Sequence, residues 1–230
     1  MKNLSENTVC ADLFRRVKEH VNVIYPDAET DILVSDLISA MKLDTNCQQP
    51  VPFTNLWNEN DVVVITYGDS LRRDGQRPLA TLGDFLDTEL KGFINGVHIL
   101  PFFPYSSDEG FSVIDYLSVN DSLGTWQDVS DIASRYRLMS DLVINHCSSK
   151  SSWFENYQRG AAPGKGYFIE ADPQDDLTDV VRPRTSPLLR STETNEGSRY
   201  VWCTFSHDQV DLNFQNTDVL LEFVRIIRFY

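Results

Sequence analysis

Two largely apolar runs, DVVVITY (61–67) and GVHILPFF (96–103), constrain this chain more than any other feature. They are rich in β-branched and aromatic residues, too short for a buried helix and without polar alternation. That is the pattern of a strand covered on both faces. Between them PLATLGDFLDTEL (78–90) has helical spacing, with Pro78 in the first turn where a missing N–H costs nothing. TWQDVSDIASRY (125–136) reads as a second helix and LMSDLVIN (138–145) as a third strand. Strand, helix, strand, helix, strand in this order predicts parallel strands joined by right-handed crossovers.

The flanks follow other rules. Leu13, Val17, Val21 and Ile24 form one helical stripe, and Leu33, Leu37, Ile38 and Met41 another, so the chain opens on a helical hairpin. DTNCQQPVPFTN (44–55) has two prolines and no period, which makes it a linker. Residues 148–205 carry scattered Gly and Pro with short strand-like pieces such as RYVWCTF (199–205), and read as an irregular insertion after the third strand. NTDVLLEFVRIIRFY (216–230) is a helix capped by Asn216 or Thr217, with a polar stripe of only Glu222, Arg225 and Arg228. A three-stranded parallel piece that finishes on a helix needing cover predicts the front part of a longer protein.

Acidic residues outnumber basic ones 34 to 20, a formal charge of −14, which argues against nucleic acid and against an anionic membrane as partner. The opening MKNLSENTVCADLFRR has no apolar signal core, and no stretch reaches the length of a membrane span. Cys10, Cys47, Cys147 and Cys203 show neither metal spacing nor a disulfide framework, so reduced thiols in a cytoplasm are expected.

Ligands of parallel α/β folds sit beyond the carboxyl ends of the strands. The loops there are TYGDSLRRDG (66–75), PFFPYSSDEGF (101–111) and NHCSS (145–149). They bring Tyr67, Asp69, Asp108, Phe111, Asn145 and His146 to one rim. A carboxylate and an imidazole that bond hydroxyls, beside an aromatic face, suit a sugar.

DLVINH (141–146) resembles the first signature of the α-amylase family of glycoside hydrolases. HILPFFPYSSDEGFSVIDY with GTWQDV, RPRTSPLL (182–189) and RYVWCTFSHDQVDLN (199–213) are similar to the sucrose phosphorylase branch. WNENDVVVITYGDSL and the N-terminal extension look closer still to the glucosylglycerate phosphorylases of that branch. The likeness is strong over 57–230 and loose over 1–56.

The resemblance implies an α/β fold that is the front part of a (β/α)8 TIM barrel, with about three βα units. Residues 1–56 would be a helical extension and linker, 57–147 the first part of the barrel, 148–205 a small inserted domain, and 206–230 the barrel continuation, ending before strand four. It implies a retaining glucosyl transfer, in which a carboxylate nucleophile forms a glucosyl-enzyme and phosphate releases α-glucose 1-phosphate. Nucleophile and acid/base would follow strand four and later strands, so no catalytic residue is expected within the chain. Inorganic phosphate would be a co-substrate, with no cofactor and no metal.

By motif position, Asp108 and His146 look like the pair that holds the outer hydroxyls of the glucosyl ring. Phe111 looks like its aromatic wall, Gln209 lines the same pocket, and Tyr67 belongs to the same rim. Arg184 looks like the phosphate contact, since a guanidinium offers a planar fork to an oxyanion. Each has a plainer reading. His146 could tie one loop to a neighbour, Asp108 could be a turn residue before Gly110, and Arg184 could pair with an acid such as Asp179. Asn145 is read as holding the rim by backbone bonds; it can bind calcium in amylase relatives, but no dense Asp/Asn loop is present here. Asp69 is read as structural, His98 as a core histidine, and His207 as a loop residue.

A glucosyl phosphorylase acting on sucrose or glucosylglycerate is therefore the leading expectation, favoured by RPR and Gln209. A hydrolase or transglucosylase on the same barrel, or a catalytically inactive fragment, are the alternatives. The acceptor and the oligomeric state are not written in these motifs.

Overall fold

The computed structural model describes residues 8–44, 57–182 and 184–230. In chain order the elements are α1 (Thr8–Ile24), α2 (Thr30–Ala40), β1 (Val63–Thr66), α3 (Pro78–Glu89), β2 (Gly96–Ile99), α4 (Trp126–Ala133), β3 (Arg137–Ser140), β4 (His146–Ser148), α5 (Ser152–Arg159), β5 (Leu189–Thr194), β6 (Gly197–Trp202), β7 (Gln209–Asp211) and α6 (Thr217–Phe229). They fall into two compact units: α1, α2 and α6 in one, β1 through β7 in the other.

In the helical unit, Val21, Leu33, Val34, Leu37, Ile38 and Leu221 form one buried cluster, with Phe14, Val17 and Met41 packed against it. Asn216 caps α6 by accepting from the Asp218 N–H at 3.0 Å, and Tyr25 donates its hydroxyl to the Phe214 carbonyl at 2.7 Å. The resemblance implies that 206–230 continues the barrel. Residues 213–230 instead group with the helical unit, where Leu221 of α6 shares its core with α1 and α2. Cys10 is disulfide-bonded, so the expectation of reduced thiols fails there, whereas Cys147 and Cys203 are free and buried. Cys47 and, apart from Asp44, the linker at 44–55 lie outside the described residues.

In the other unit, β1, β2 and β3 form a parallel sheet in that order. Pro78 starts α3, and the Thr125 N–H bonds the Asp128 carboxylate at 2.8 Å to start α4. Arg77 grips that carboxylate with two bonds of 2.9 and 2.8 Å, tying the beginnings of the two helices together. Burial of Asp128 opposes ionisation, but the bonds from Arg77 and Thr125 outweigh it and hold the acid below its usual range.

Register puts Val64, Val97 and Leu138 on one face, and Val63 and Ile65 with Gly96, His98 and Met139 on the other. The first face is the covered one: Val97 and Ile99 are fully buried, and α4 packs on β3 and α3 on α4. On the second, Ile65 is 66% exposed and Met139 49%. The expectation that DVVVITY is buried on both faces is thus corrected: one face has no cover among the described residues. The third strand is also shorter than 138–145, its ladder ending at Ser140. β2 runs into Pro101, which has no N–H to extend the pairing. Residues 146–148 pair instead with β7, antiparallel.

Between β4 and β7 the chain makes α5 and the β5–β6 hairpin. Ser151 caps α5 through the Phe154 N–H, and Gly160 ends it in the left-handed conformation. Phe154, Tyr157 and Phe168 form its aromatic core, with ring centroids 5.0 to 5.6 Å apart.

Candidate active site

The β4–β7 ribbon sets His146 opposite Asp211 and Ser148 opposite Gln209. All six of its residues are buried. Facing it is a turn at Asp108–Gly110 in which three successive residues take positive φ, 56°, 50° and 109°. Gly110 is required there: a Cβ would lie 2.7 Å from the Pro101 carbonyl oxygen. Asp108 and Glu109 have no such excuse, and left-handed residues of this kind cost roughly 1 kcal/mol or more each unless neighbours over-determine them.

The neighbours do so. Gln209 donates its amide to Asp108 Oδ2 at 2.8 Å, and the same nitrogen lies 3.1 Å from His146 Nε2. Asn145 Nδ2 sits 2.8 Å from His146 Nδ1, which leaves the ring proton on Nε2, 3.2 Å from the Phe111 carbonyl. Tyr67 donates its hydroxyl to Glu109 at 2.9 Å from the other side, and that bond is the main cause of the raised pKa of its phenol. Tyr116 donates to the carbonyls of Val143 and His146 at 2.9 and 3.0 Å, fixing the backbone beneath the imidazole.

Charges follow burial. His146 is pushed below its usual pKa by desolvation, against the pull of Asp211, the Phe111 carbonyl and Asp108. It is a neutral imidazole at pH 7, able to donate and accept. Burial raises Asp211, although Thr204 donates to it from hydroxyl and backbone. Desolvation pushes Asp208 up too, but hydroxyls of Ser106, Ser107, Ser149 and Ser112 outweigh it and hold the carboxyl below its normal range.

The structure thus brings Asp108, His146 and Gln209 into one cluster, an exposed carboxylate joined by a buried amide to a buried imidazole. Phe111 enters it by its backbone oxygen; the ring that meets His146 belongs to Phe205, at 5.1 Å between centroids. Tyr67 reaches the turn and lines a cavity of about 350 Å³ with Asp69, Arg72, Tyr105 and Glu109. Asp69 pairs with Arg72 at 2.7 Å. Arg184 is exposed and makes no hydrogen bond or ion pair among the described residues, nor does it contact the cluster. Its neighbour in RPR, Arg182, reaches the Thr204 carbonyl. Asn145 contributes both its side chain and its carbonyl, which accepts from the Leu212 N–H at 2.9 Å. His98 bonds Asp141 on the open sheet face, and His207 bonds the Pro187 carbonyl. No cluster of three or more His, Cys, Asp or Glu side chains that could hold a metal ion occurs among the described residues.

Sequence reasoning passed over Asp208, Phe205 and Tyr116. The signal for Asp208 was present: YSSDEGFS and CSSKS surround Asp108 and His146 with hydroxyls that need a common acceptor, and an acid stands next to Gln209.

The family model for the alpha-amylase catalytic domain matches residues 90–230. The chain belongs to the α-amylase family. It is 54% identical over 173 residues to the glucosylglycerate phosphorylase of Spirochaeta thermophila, covering 75% of this chain and 30% of that protein. To the glucosylglycerate phosphorylase of Escherichia coli it is 40% identical over 221 residues, covering 94% of this chain and 39% of the relative. The crystal structure of sucrose 6F-phosphate phosphorylase from Thermoanaerobacter thermosaccharolyticum superposes with a TM-score of 0.67 at 28% identity, over 77% of this chain and 38% of that one. The fold is that of the TIM-barrel enzymes of this family, matched over part of their length. This chain spans about a third of the curated relatives it resembles.

Proposed function

We propose that this chain is the glucose-holding part of a glucosyl phosphorylase, which transfers glucose from an α-glucoside, sucrose or glucosylglycerate, to inorganic phosphate. The observation that carries the reading is the Asp108–Gln209–His146 bridge at the rim of the barrel strands. It offers a carboxylate to accept from sugar hydroxyls and a neutral imidazole to accept or donate, with the Gln209 amide already satisfying the carboxylate and the Phe111 carbonyl the imidazole N–H when no sugar is present. The likeness to glucosylglycerate phosphorylases supports the substrate class.

In this reading Asp108 and His146 hold the outer hydroxyls, Gln209 and Tyr67 shape the pocket, and Phe111 lines it. Arg184 receives phosphate. The nucleophile and the acid/base come from outside residues 1–230, no cofactor or metal takes part, and the isolated chain does not turn over. A cytoplasmic site of action belongs to the same proposal. No helix among the described residues is long and apolar enough to cross a membrane.

The test is a chimera in which this chain replaces the matching segment of the Escherichia coli glucosylglycerate phosphorylase. Phosphate-dependent release of α-glucose 1-phosphate from glucosylglycerate or sucrose is expected, and its loss on His146→Ala. Free glucose as the sole product at every phosphate concentration would instead assign a hydrolase. Turnover by the isolated chain would sink the claim that its carboxylates are not catalytic.

A further inference from the structure

Asp208 touches no sugar in the reading above, yet its carboxylate gathers the chain segments that make the site. Hydroxyls of Ser106, Ser107, Ser112 and Ser149 all donate to it, the last three at 2.6, 2.9 and 2.8 Å. Ser148 joins through the Ser106 hydroxyl, and the Asp208 carbonyl accepts from the Ser149 N–H at 2.8 Å. Ser106, Ser107 and Ser112 flank the left-handed Asp108–Gly110 turn. Ser148 and Ser149 follow His146, and Asp208 itself precedes Gln209.

We propose that Asp208 is the positioning residue of the site, its serine-bound carboxylate setting the separation of Asp108, Gln209 and His146. A turn held at positive φ springs back unless fixed from several sides. Only an ionised carboxylate can accept this many hydroxyls at once; an amide in its place would present a donor to some of them. The network is fully connected, which makes it rigid, and loss of one acceptor leaves several half-buried hydroxyls to re-pair.

The positioning stands on geometry alone, while its consequence for sugar rests on the function proposed above. The experiment uses the 230-residue chain and reads the ring nitrogens of His146 and the side-chain amide of Gln209 by NMR, with glucose as the ligand. Asp208→Asn is expected to move both signals and to weaken glucose binding about tenfold or more. Asp208→Glu, which keeps the charge, is expected to restore part of both. Asp128→Asn, which loosens α4 away from the site, should lower the melting temperature and leave the His146 and Gln209 signals in place. Should Asp208→Asn not fold, Ser149→Ala removes one donor and should shift the same signals by less.

Wild-type positions for His146 and Gln209 in Asp208→Asn, or in Ser149→Ala where that variant is needed, would reduce Asp208 to a structural clasp and overturn the proposal. A wild-type chain that binds no glucose, with the signals moving as expected, would remove the sugar reading and uphold the positioning.

Discussion

Replacing Gln209 by Leu removes the bridge while keeping most of the side-chain volume. Gln209 is 2% exposed. Three contacts go: the bond to Asp108, the bond from the Ser206 hydroxyl at 3.0 Å, and the 3.1 Å approach to His146. Asp108 is exposed, so water takes over as its donor and the first loss costs little. The Ser206 bond is shielded and worth about 1 kcal/mol, while the approach to the protonated Nε2 adds no bond, so the substitution should cost about 1 kcal/mol. For a domain of this size that lowers the melting temperature by roughly 2–4 °C, readable by calorimetry. Gln209→Glu gives the signed companion. A carboxylate placed against Asp108 and buried has its folded pKa raised, so it contributes stability below its unfolded pKa of about 4.3 and loses it as pH rises. The gap between Gln209→Glu and wild type should therefore shrink on acidification, and the gap for Gln209→Leu should not. A Leu variant melting within about 1 °C of wild type, or a Glu variant blind to pH, would show that Gln209 does not join the two groups.

Gly110→Ala should lower stability by more than about 2 kcal/mol, since it adds a Cβ against the Pro101 carbonyl at a φ of 109°; chemical denaturation reads this directly. His146 has a folded pKa below its unfolded value of about 6.5, with Asp211 and Asp108 facing it, so its contribution is complete above that pH and lost as pH falls. Melting curves between pH 7.5 and 5.5 should thus fall with acid more steeply for wild type than for His146→Gln. Burial pushes the thiols of Cys147 and Cys203 up to about 12. Both should resist a thiol reagent at pH 8 in the native chain and react once it is unfolded; rapid native labelling would contradict their burial.

The site was legible where one short motif carries both the fold and the chemistry. Asp108, His146 and Gln209 each stand in a run whose neighbours set the local backbone, and the structure brings the three together. What the motifs could not convey is how the three are spaced. That depends on hydroxyls from segments roughly sixty and a hundred residues before Asp208 converging on it, and no periodicity records such a convergence. Phe111 and Phe205 make the same point. Both are aromatic and near the rim, but only the fold decides which ring meets the imidazole and which residue lends its carbonyl.

The strands were legible in kind and misjudged in surroundings, for a reason that binds the two findings about the sheet. The unbroken apolar run 62–65 records the neighbours a strand is selected to have on both faces. The crossover helices supply those of one face, so Val97 and Ile99 are buried. The side of Ile65 and Met139 stays open among the described residues, and β3 pairs on one edge alone. The glucosylglycerate phosphorylase that this chain matches is about two and a half times as long. In a closed barrel that open side is the filled interior and the strand tips form a continuous rim. The site lies on the part of this rim that needs no such closure. His146 and Gln209 are buried by the β4–β7 ribbon and its serine network, not by the sheet's open face. The Asp108–Gln209–His146 cluster can therefore be formed in this chain while the sheet still presents an uncovered side.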